Sequence, residues 1–214
     1  MVAVGLSGVR IENGLKEVGV DIFSVGGIFV THEHSDHSAG VGVLSRRYDI
    51  PIYATKKTWA YFSRTNSIGK IKEHNMITIK PNVRFMFKDM IVNPFEIPHD
   101  AAEPVGYNIF AENKKISVAT DIGHVNDCLK KNLVDSDLIL IESNHDLEML
   151  KNGPYPNPLK RRVMGDYGHL SNHTCGELLV EVMSGKLKNV FLGQLSQDNN
   201  IPLLAYETVK GILQ

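Results

Sequence analysis

Short apolar runs closed by polar or glycine-bearing stretches alternate along this chain with segments of helical periodicity. Gly26 and Gly27 close one segment, and residues 28–30 form a buried-strand run. A polar, histidine-rich loop over 31–37 follows, and apolar spacing then predicts a helix over about 38–47. Residues 52–54 read as a second strand and 56–63 as a helix. Alternation over 76–79, 83–87 and 90–97 predicts three antiparallel strands joined by Asn, Pro and Asp turns. Runs at 105–110 and 115–119 flank Glu112 and Asn113, a hairpin signal. Further strands are expected at 138–141 and 190–192, with helices near 127–134, 171–183 and 202–213. Ser171 is a candidate N-cap for the second of these helices, with Asn172 as the alternative. Each His or Asp cluster falls just after a strand run, where layered α/β folds place their chemistry.

Composition narrows the class. With 214 residues, 43% hydrophobic and 22% charged, the chain can bury a core without staples and reads as one domain over 1–214. Its net charge of −1 excludes a globally basic nucleic-acid coat. Asp21 interrupts the best apolar stretch, so no transmembrane segment is expected, and the first residues lack the basic start of a signal peptide. Cys128 and Cys175 form neither a metal pair nor a disulfide framework and read as small buried hydrophobes. The expected location is the cytoplasm.

The strongest motif is Thr31-His32-Glu33-His34-Ser35-Asp36-His37, an H-x-H-x-D-H cluster at a strand end. Alternate residues of an extended segment project to one side, so His32 and His34 can converge on one ion. Once the chain turns into the helix, Asp36 and His37 can face a second. Imidazoles with a carboxylate suit zinc, and also manganese or iron.

This motif resembles the hallmark of the metallo-β-lactamase fold superfamily. His99 in Ile97-Pro98-His99-Asp100, Asp121 in Ala119-Thr120-Asp121 and His169 in Gly168-His169-Leu170-Ser171-Asn172 match its later ligand positions in order. The resemblance implies an α/β, four-layer αββα sandwich. It also implies two divalent ions, zinc or manganese, one held by His32, His34 and His99 and one by Asp36, His37 and His169, with Asp121 bridging. Glu142-Ser-Asn-His-Asp146, Gly153-x-Tyr155-Pro156, Gly168-His-Leu-Ser-Asn172 and Leu195-Ser196 before Asn199-Asn200 narrow the likeness to the YycJ/WalJ-type subgroup, over roughly residues 5–210. That subgroup implies a metal-dependent exonuclease degrading duplex DNA from the 5′ end. The chain departs from its pattern in three places: Ala3 stands where an acid is usual and the first strands are lacking, the sequence ends soon after Glu207-Thr-Val-Lys210 where relatives continue into a last strand, and Gln194 replaces a histidine before Leu195-Ser196. An unpaired sheet edge would favour self-association. Loss of a supporting acid would weaken metal affinity by roughly 10–100-fold.

The chemistry such a site would support is hydrolysis by a dimetal-bound hydroxide, with Asp36 and Asp121 fixing the nucleophile. His145 is a candidate proton donor to the leaving oxygen, its alternative being a helix-start residue without chemical role. Asn144 and Gln194 are candidate phosphate donors, although Gln194 cannot deliver a proton. Between Lys56 and Lys88 stand eight basic residues and one acid, Glu73, with Trp59, Tyr61 and Phe62 interleaved. Lys56, Lys57, Arg64 and Lys72 are therefore candidate DNA contacts and the aromatics candidate stacking platforms, against a solvated basic face over core aromatics. Lys160-Arg161-Arg162 reads as solvated, and His74, His124 and His173 carry no ligand role. Two alternatives stand beside the nuclease: a small ester or thioester hydrolase of the same fold, and a truncated, catalytically impaired paralogue acting as a binding protein.

Overall fold

A computed structural model describes residues 1, 2 and 5–214, so Ala3 lies outside the described residues. The chain divides into two compact units, residues 1–81 with 101–105 and residues 82–100 with 106–214.

In the first unit, α1 (Gly8–Glu17) starts at Ser7, whose Oγ accepts from the Arg10 N–H. Strand β1 (Ile28–Phe29) is followed by α2 (Ser35–Ser38), α3 (Val41–Tyr48), β2 (Ile52–Thr55), α4 (Lys56–Thr65) and β3 (Met76–Ile79). Among the described residues these strands form one parallel sheet in the order β1-β2-β3, with Ile28 opposite Ile52 and Ile52 opposite Met76. The 76–79 strand therefore does not belong to an antiparallel set. It returns through α4, and the crossover a helix provides makes the pairing parallel. The expected 38–47 helix is also two pieces: the chain already turns at Ser35, and Gly40 separates α2 from α3. Ile28, Val41, Leu44, Ile52, Trp59 and Phe62 fill the core. Trp59 and Phe62 are buried, so they serve packing and not stacking on a nucleic acid.

In the second unit, β4 (Phe85–Phe87), β5 (Met90–Glu96), β6 (Val105–Ala111), β7 (Lys114–Ala119), β8 (Leu138–Glu142) and β9 (Asn189–Gly193) lie side by side in chain order. The β4–β5 and β6–β7 pairs are antiparallel, and β7, β8 and β9 run parallel. Glu112 and Asn113, at φ of 49° and 62°, make the tight β6–β7 turn that their residue types suggest. Helix α5 (Asp127–Leu133) links β7 to β8. Helices α6 (Leu147–Asn152), α7 (Asn157–Val163) and α8 (Asn172–Val182) link β8 to β9, and α9 (Pro202–Leu213) follows. Ser171 caps α8 by accepting from the Thr174 N–H, while the Asn172 carboxamide turns inward to Ser143 and Asn200. One face of the sheet packs Phe95, Ala119, Ile139 and Ile141 against Leu129, Leu178, Leu179 and Val209 of the helices. Cys175 is buried there, whereas Cys128 is only half-buried and its Sγ accepts from Asn132.

Among the described residues no helix is long and apolar enough to cross a membrane.

Candidate metal centre

The first unit presents its chemistry on one short stretch. His32 follows β1, His34 precedes α2, and Asp36 and His37 lie within that single turn. Ring centroids of His32 and His34 are 4.6 Å apart, and those of His32 and His37 are 4.2 Å apart. The Thr31 hydroxyl stands 3.1 Å from His32 Nδ1 and 3.4 Å from His37 Nδ1, so one side chain orients both rings by the nitrogen that faces inward. Ser38 Oγ donates to the Glu33 and His34 carbonyls and pins the turn. Glu33 is buried, accepting from the Ala102 N–H at 2.7 Å and standing 3.5 Å from the Thr58 hydroxyl. Gly5 passes so close that a Cβ there would fall 1.4 Å from the Asp36 carbonyl oxygen. Neither the Thr31 hydroxyl nor the Glu33 carboxylate was read as functional in the sequence; both sit inside the motif, beside the residues that drew attention.

In the second unit the candidate ligands come one at a time from strand ends: His99 after β5, Asp121 after β7 and His169 just ahead of α8. One ligand atom from each lies within 4.8 Å of the others, a triad of two imidazoles and a carboxylate suited to a divalent ion. His99 Nδ1 lies 3.2 Å from the Gly168 carbonyl, which places the ring proton on Nδ1 and leaves Nε2 as the metal-facing donor. Asp121 is 2% exposed and sits in the left-handed region at φ 60°. An acid tolerates that conformation better than most side chains, and it swings the carboxylate out of the strand direction.

Glu142 is the residue that spacing alone did not single out. It is wholly buried at the end of β8, with Oε1 2.7 Å from His169 Nδ1 and Oε2 accepting from the Ile122 and Leu170 N–H groups. Two segments, one adjoining Asp121 and one carrying His169, thus meet on one carboxylate. Burial holds its pKa above the ordinary range, against the pull of His169. His169 in turn is held above its ordinary value: burial alone would lower it, but the Glu142, Asp121 and Asp100 carboxylates outweigh that. His99 is lowered, chiefly by burial.

The remaining candidates are placed as follows. His145 is buried between β8 and α6, and burial, with repulsion from His169, pushes it down to about 4. Its Nδ1 has no hydrogen-bond partner among the described residues. Asn144 donates to the Gln194 carbonyl at 2.8 Å, and Gln194 Nε2 donates to Asp121 Oδ1 at 3.2 Å. The two amides are therefore linked in a chain of hydrogen bonds to the Asp121 carboxylate. Lys56, Lys57 and Arg64 lie exposed on α4, with Arg64 over the Tyr61 ring at 5.6 Å and Lys57 3.7 Å from Glu103. Lys72 is engaged with Asp49 at 2.9 Å. Arg162, in the 160–162 basic cluster, pairs with Asp100 at 2.6 Å. His74, His124 and His173 pair with Asp49, the Asp166 carbonyl and Glu177, and none belongs to a metal-type cluster among the described residues.

Residues 15–187 match the family model described as "Beta-lactamase superfamily domain". The chain belongs to the β-lactamase superfamily. "Exodeoxyribonuclease YycJ" of Bacillus anthracis is 39% identical over 214 residues, covering the whole chain and 80% of the relative. "Exodeoxyribonuclease WalJ" of Streptococcus pneumoniae is 36% identical over 98% of the chain and 78% of the relative. The crystal structure of the metallo-β-lactamase fold protein YhfI from Bacillus subtilis superimposes with a TM-score of 0.74 at 15% identity, over the whole chain and 80% of that structure, a likeness of fold. The chain is thus a mixed α/β hydrolase of the metallo-β-lactamase fold, a member of the group that includes YycJ and WalJ, with a His/Asp cluster suited to divalent metal.

Proposed function

We propose that this protein is a metal-dependent phosphodiesterase, an exodeoxyribonuclease that degrades duplex DNA from the 5′ end. The observation that carries this reading is the 39% identity with a named exodeoxyribonuclease along the entire chain. We assign His32, His34 and His99 to one divalent ion and Asp36, His37 and His169 to a second, with Asp121 shared, the two units working as one domain. Chain order and donor chemistry support that division, and zinc and manganese both suit the ligands. Two such ions supply an activated water and counter-charge for the phosphoryl oxygens.

The chain's own residues do the positioning. Thr31 fixes the faces that His32 and His37 present, and the Gly168 carbonyl and Glu142 do the same for His99 and His169. Gln194 donates to Asp121 Oδ1 and so helps fix the orientation of that carboxylate. His145, uncharged at neutral pH, offers a ring hydrogen bond and not a proton to the leaving oxygen. Lys56, Lys57, Arg64 and Lys72 supply sequence-independent attraction to phosphates. DNA is the partner, and the cytoplasm is where it would be met.

The test is release of nucleotides from end-labelled duplex, single-stranded DNA and RNA, run beside thioester and β-lactam substrates. Metal-dependent release from duplex 5′ ends is expected. Reversing Lys56, Lys57 and Arg64 to Glu should weaken DNA binding and flatten its salt dependence while metal content stays intact. Turnover of the small esters without cleavage of any nucleic acid would overturn the proposal.

A further inference from the structure

The second unit carries a cleft that the metal chemistry does not use. Its face that packs against the helices is covered at β8 and β9, but α5 has only seven residues. The strip formed by Met86, Ile91, Phe110 and Lys115 therefore lines an open cleft of about 730 Å³, together with the loop after α5. Lys115 stands at the start of β7, whereas Asp121 follows its end. At ~3.3 Å per residue the two are about 20 Å apart.

The lining has three kinds of surface. Met86, Ile91 and Phe110 form an apolar wall. On the floor, Asn93 and Asn108 both donate to Asn132 Oδ1, at 3.3 and 3.0 Å. Around the rim stand Arg84, Lys114, Lys115, Lys131 and Lys186, facing Asp89, Glu112, Asp135 and Asp137. Asp137 is already taken, accepting from Lys114 Nζ at 2.8 Å and from the Lys115 N–H at 2.9 Å. Arg84 lies over the Phe110 ring at 5.1 Å. Lys115 Nζ is half-buried, reaches the Val134 carbonyl at 2.6 Å and lies within electrostatic reach of Arg84 and Lys186.

We infer that this cleft binds a small phosphomonoester carried on a planar ring, such as a nucleoside monophosphate, with the ring against Phe110 and the phosphate among Arg84, Lys115 and Lys186. Arg84 and Lys186 both act on Lys115, and Asp135 offsets only part of that positive field, so a dianion held among the three cations would gain charge-assisted hydrogen bonds. Burial, joined by Arg84 and Lys186 and opposed by Asp135, lowers the Lys115 ammonium to about 8, and a bound anion would raise it again. Stacking against an aromatic ring already faced by a guanidinium is the geometry that holds flat, electron-rich rings. The inference goes beyond the nuclease reading and does not depend on it.

Calorimetric titration of the intact protein with deoxyadenosine monophosphate, inorganic phosphate and deoxyadenosine tests the site. One molecule of the monophosphate should bind per chain, and phosphate or nucleoside alone should bind about 10-fold more weakly or worse. Arg84→Ala and Lys186→Ala, both at exposed side chains, should each weaken the monophosphate by about 10-fold. His34→Ala, in the other cluster, should leave that affinity in place. Lys115→Gln gives a second reading of the anion pocket, with circular dichroism confirming that it folds. Absence of binding, equal binding by Arg84→Ala and Lys186→Ala, or loss in His34→Ala alone would overturn the site. Inorganic phosphate binding as tightly as the monophosphate would overturn the role of Phe110.

Discussion

Asp49 in the first unit and Glu142 in the second are both carboxylates that gather three hydrogen-bond donors, yet their surroundings push them in opposite directions. Asp49 is exposed, and hydrogen bonds from Lys72, then His74 and Asn75, hold it down at about 2. Glu142 is wholly buried, and desolvation raises it despite His169 and two backbone N–H groups. The contrast extends to how each unit holds its chemistry. In the first, four ligand-type residues ride on one loop above an apolar core of Ile28, Leu44, Trp59 and Phe62. In the second, His99, Asp121 and His169 arrive from three separate segments; buried Glu142 ties the Asp121 and His169 segments, and the Gly168 carbonyl ties His99 to the latter. A contiguous motif positions itself through short-range turns; a dispersed one needs a buried anchor.

The largest expected effect falls on the apolar core of the first unit. Trp59 packs among its buried neighbours and donates Nε1–H to the Ile77 carbonyl at 3.1 Å. Trp59→Ala should cost about 4 kcal/mol through the cavity it leaves, lowering the melting temperature by about 10 °C. DNA affinity of the folded fraction should stay unchanged, because the ring faces the core. A variant that melts like the parent and loses DNA binding would restore Trp59 to the surface role its neighbours in sequence suggest.

Glu142→Ala probes the buried anchor. Its removal leaves the Ile122 and Leu170 N–H groups and His169 Nδ1 without their acceptor, at a cost of about 3 kcal/mol. Metal retention should fall as well, by roughly 10–100-fold in affinity. Chemical denaturation and metal analysis report the two effects separately. Full metal content with unchanged stability would show that the ligand segments need no common anchor.

His34→Ala is the matching change in the first unit. His34 is half-buried and lies at the N-terminal end of a one-turn helix, so removing its ring should alter the stability of the metal-free protein by less than about 1 kcal/mol. Metal content should nonetheless fall, since a first ligand is gone. Elemental analysis beside a denaturant melt separates these outcomes. A large loss of stability without metal would erase the distinction between the two clusters.

The same distinction explains what could be read along the chain. The H-x-H-x-D-H run is legible because its spacing is local and its residue types are rare together. The β6–β7 turn at Glu112-Asn113 and the Ser171 cap are legible for the same reason, each being a matter of four or five neighbouring residues. His99, Asp121 and His169 gained weight only from their order in a resembling family. Glu142 was quoted as part of a motif, but its role depends on Ile122, His169 and Leu170, at least 20 positions away in sequence. Strand β3 was misplaced on similar grounds: alternation over 76–79 specifies a strand, while its parallel partner is decided by the helix that precedes it. Helices α6 and α7, six and seven residues long, are too short to leave a period in the sequence.

The smallest effect concerns Asp49, and its sign follows from the direction of its shift. Asp49 ends α3 in the left-handed conformation at φ 56°, with its carboxylate open to solvent. Its folded value of about 2 lies below the roughly 3.9 of an unfolded aspartate, so the folded state binds the proton less readily. The group therefore contributes its full stabilisation above about pH 4 and loses it as pH falls toward 2. Solvent and salt screen such an exposed cluster, so the contribution is small and should shrink further at high ionic strength. In the Lys72→Ala, His74→Ala double variant the Asp49 carboxyl should titrate closer to 4, followed by carbon-detected NMR. The acid limb of the stability profile should flatten between pH 4 and 2, while Glu142 keeps its raised value. An unmoved Asp49 midpoint would mean that the left-handed turn and Asn75, and not the two cations, set its acidity.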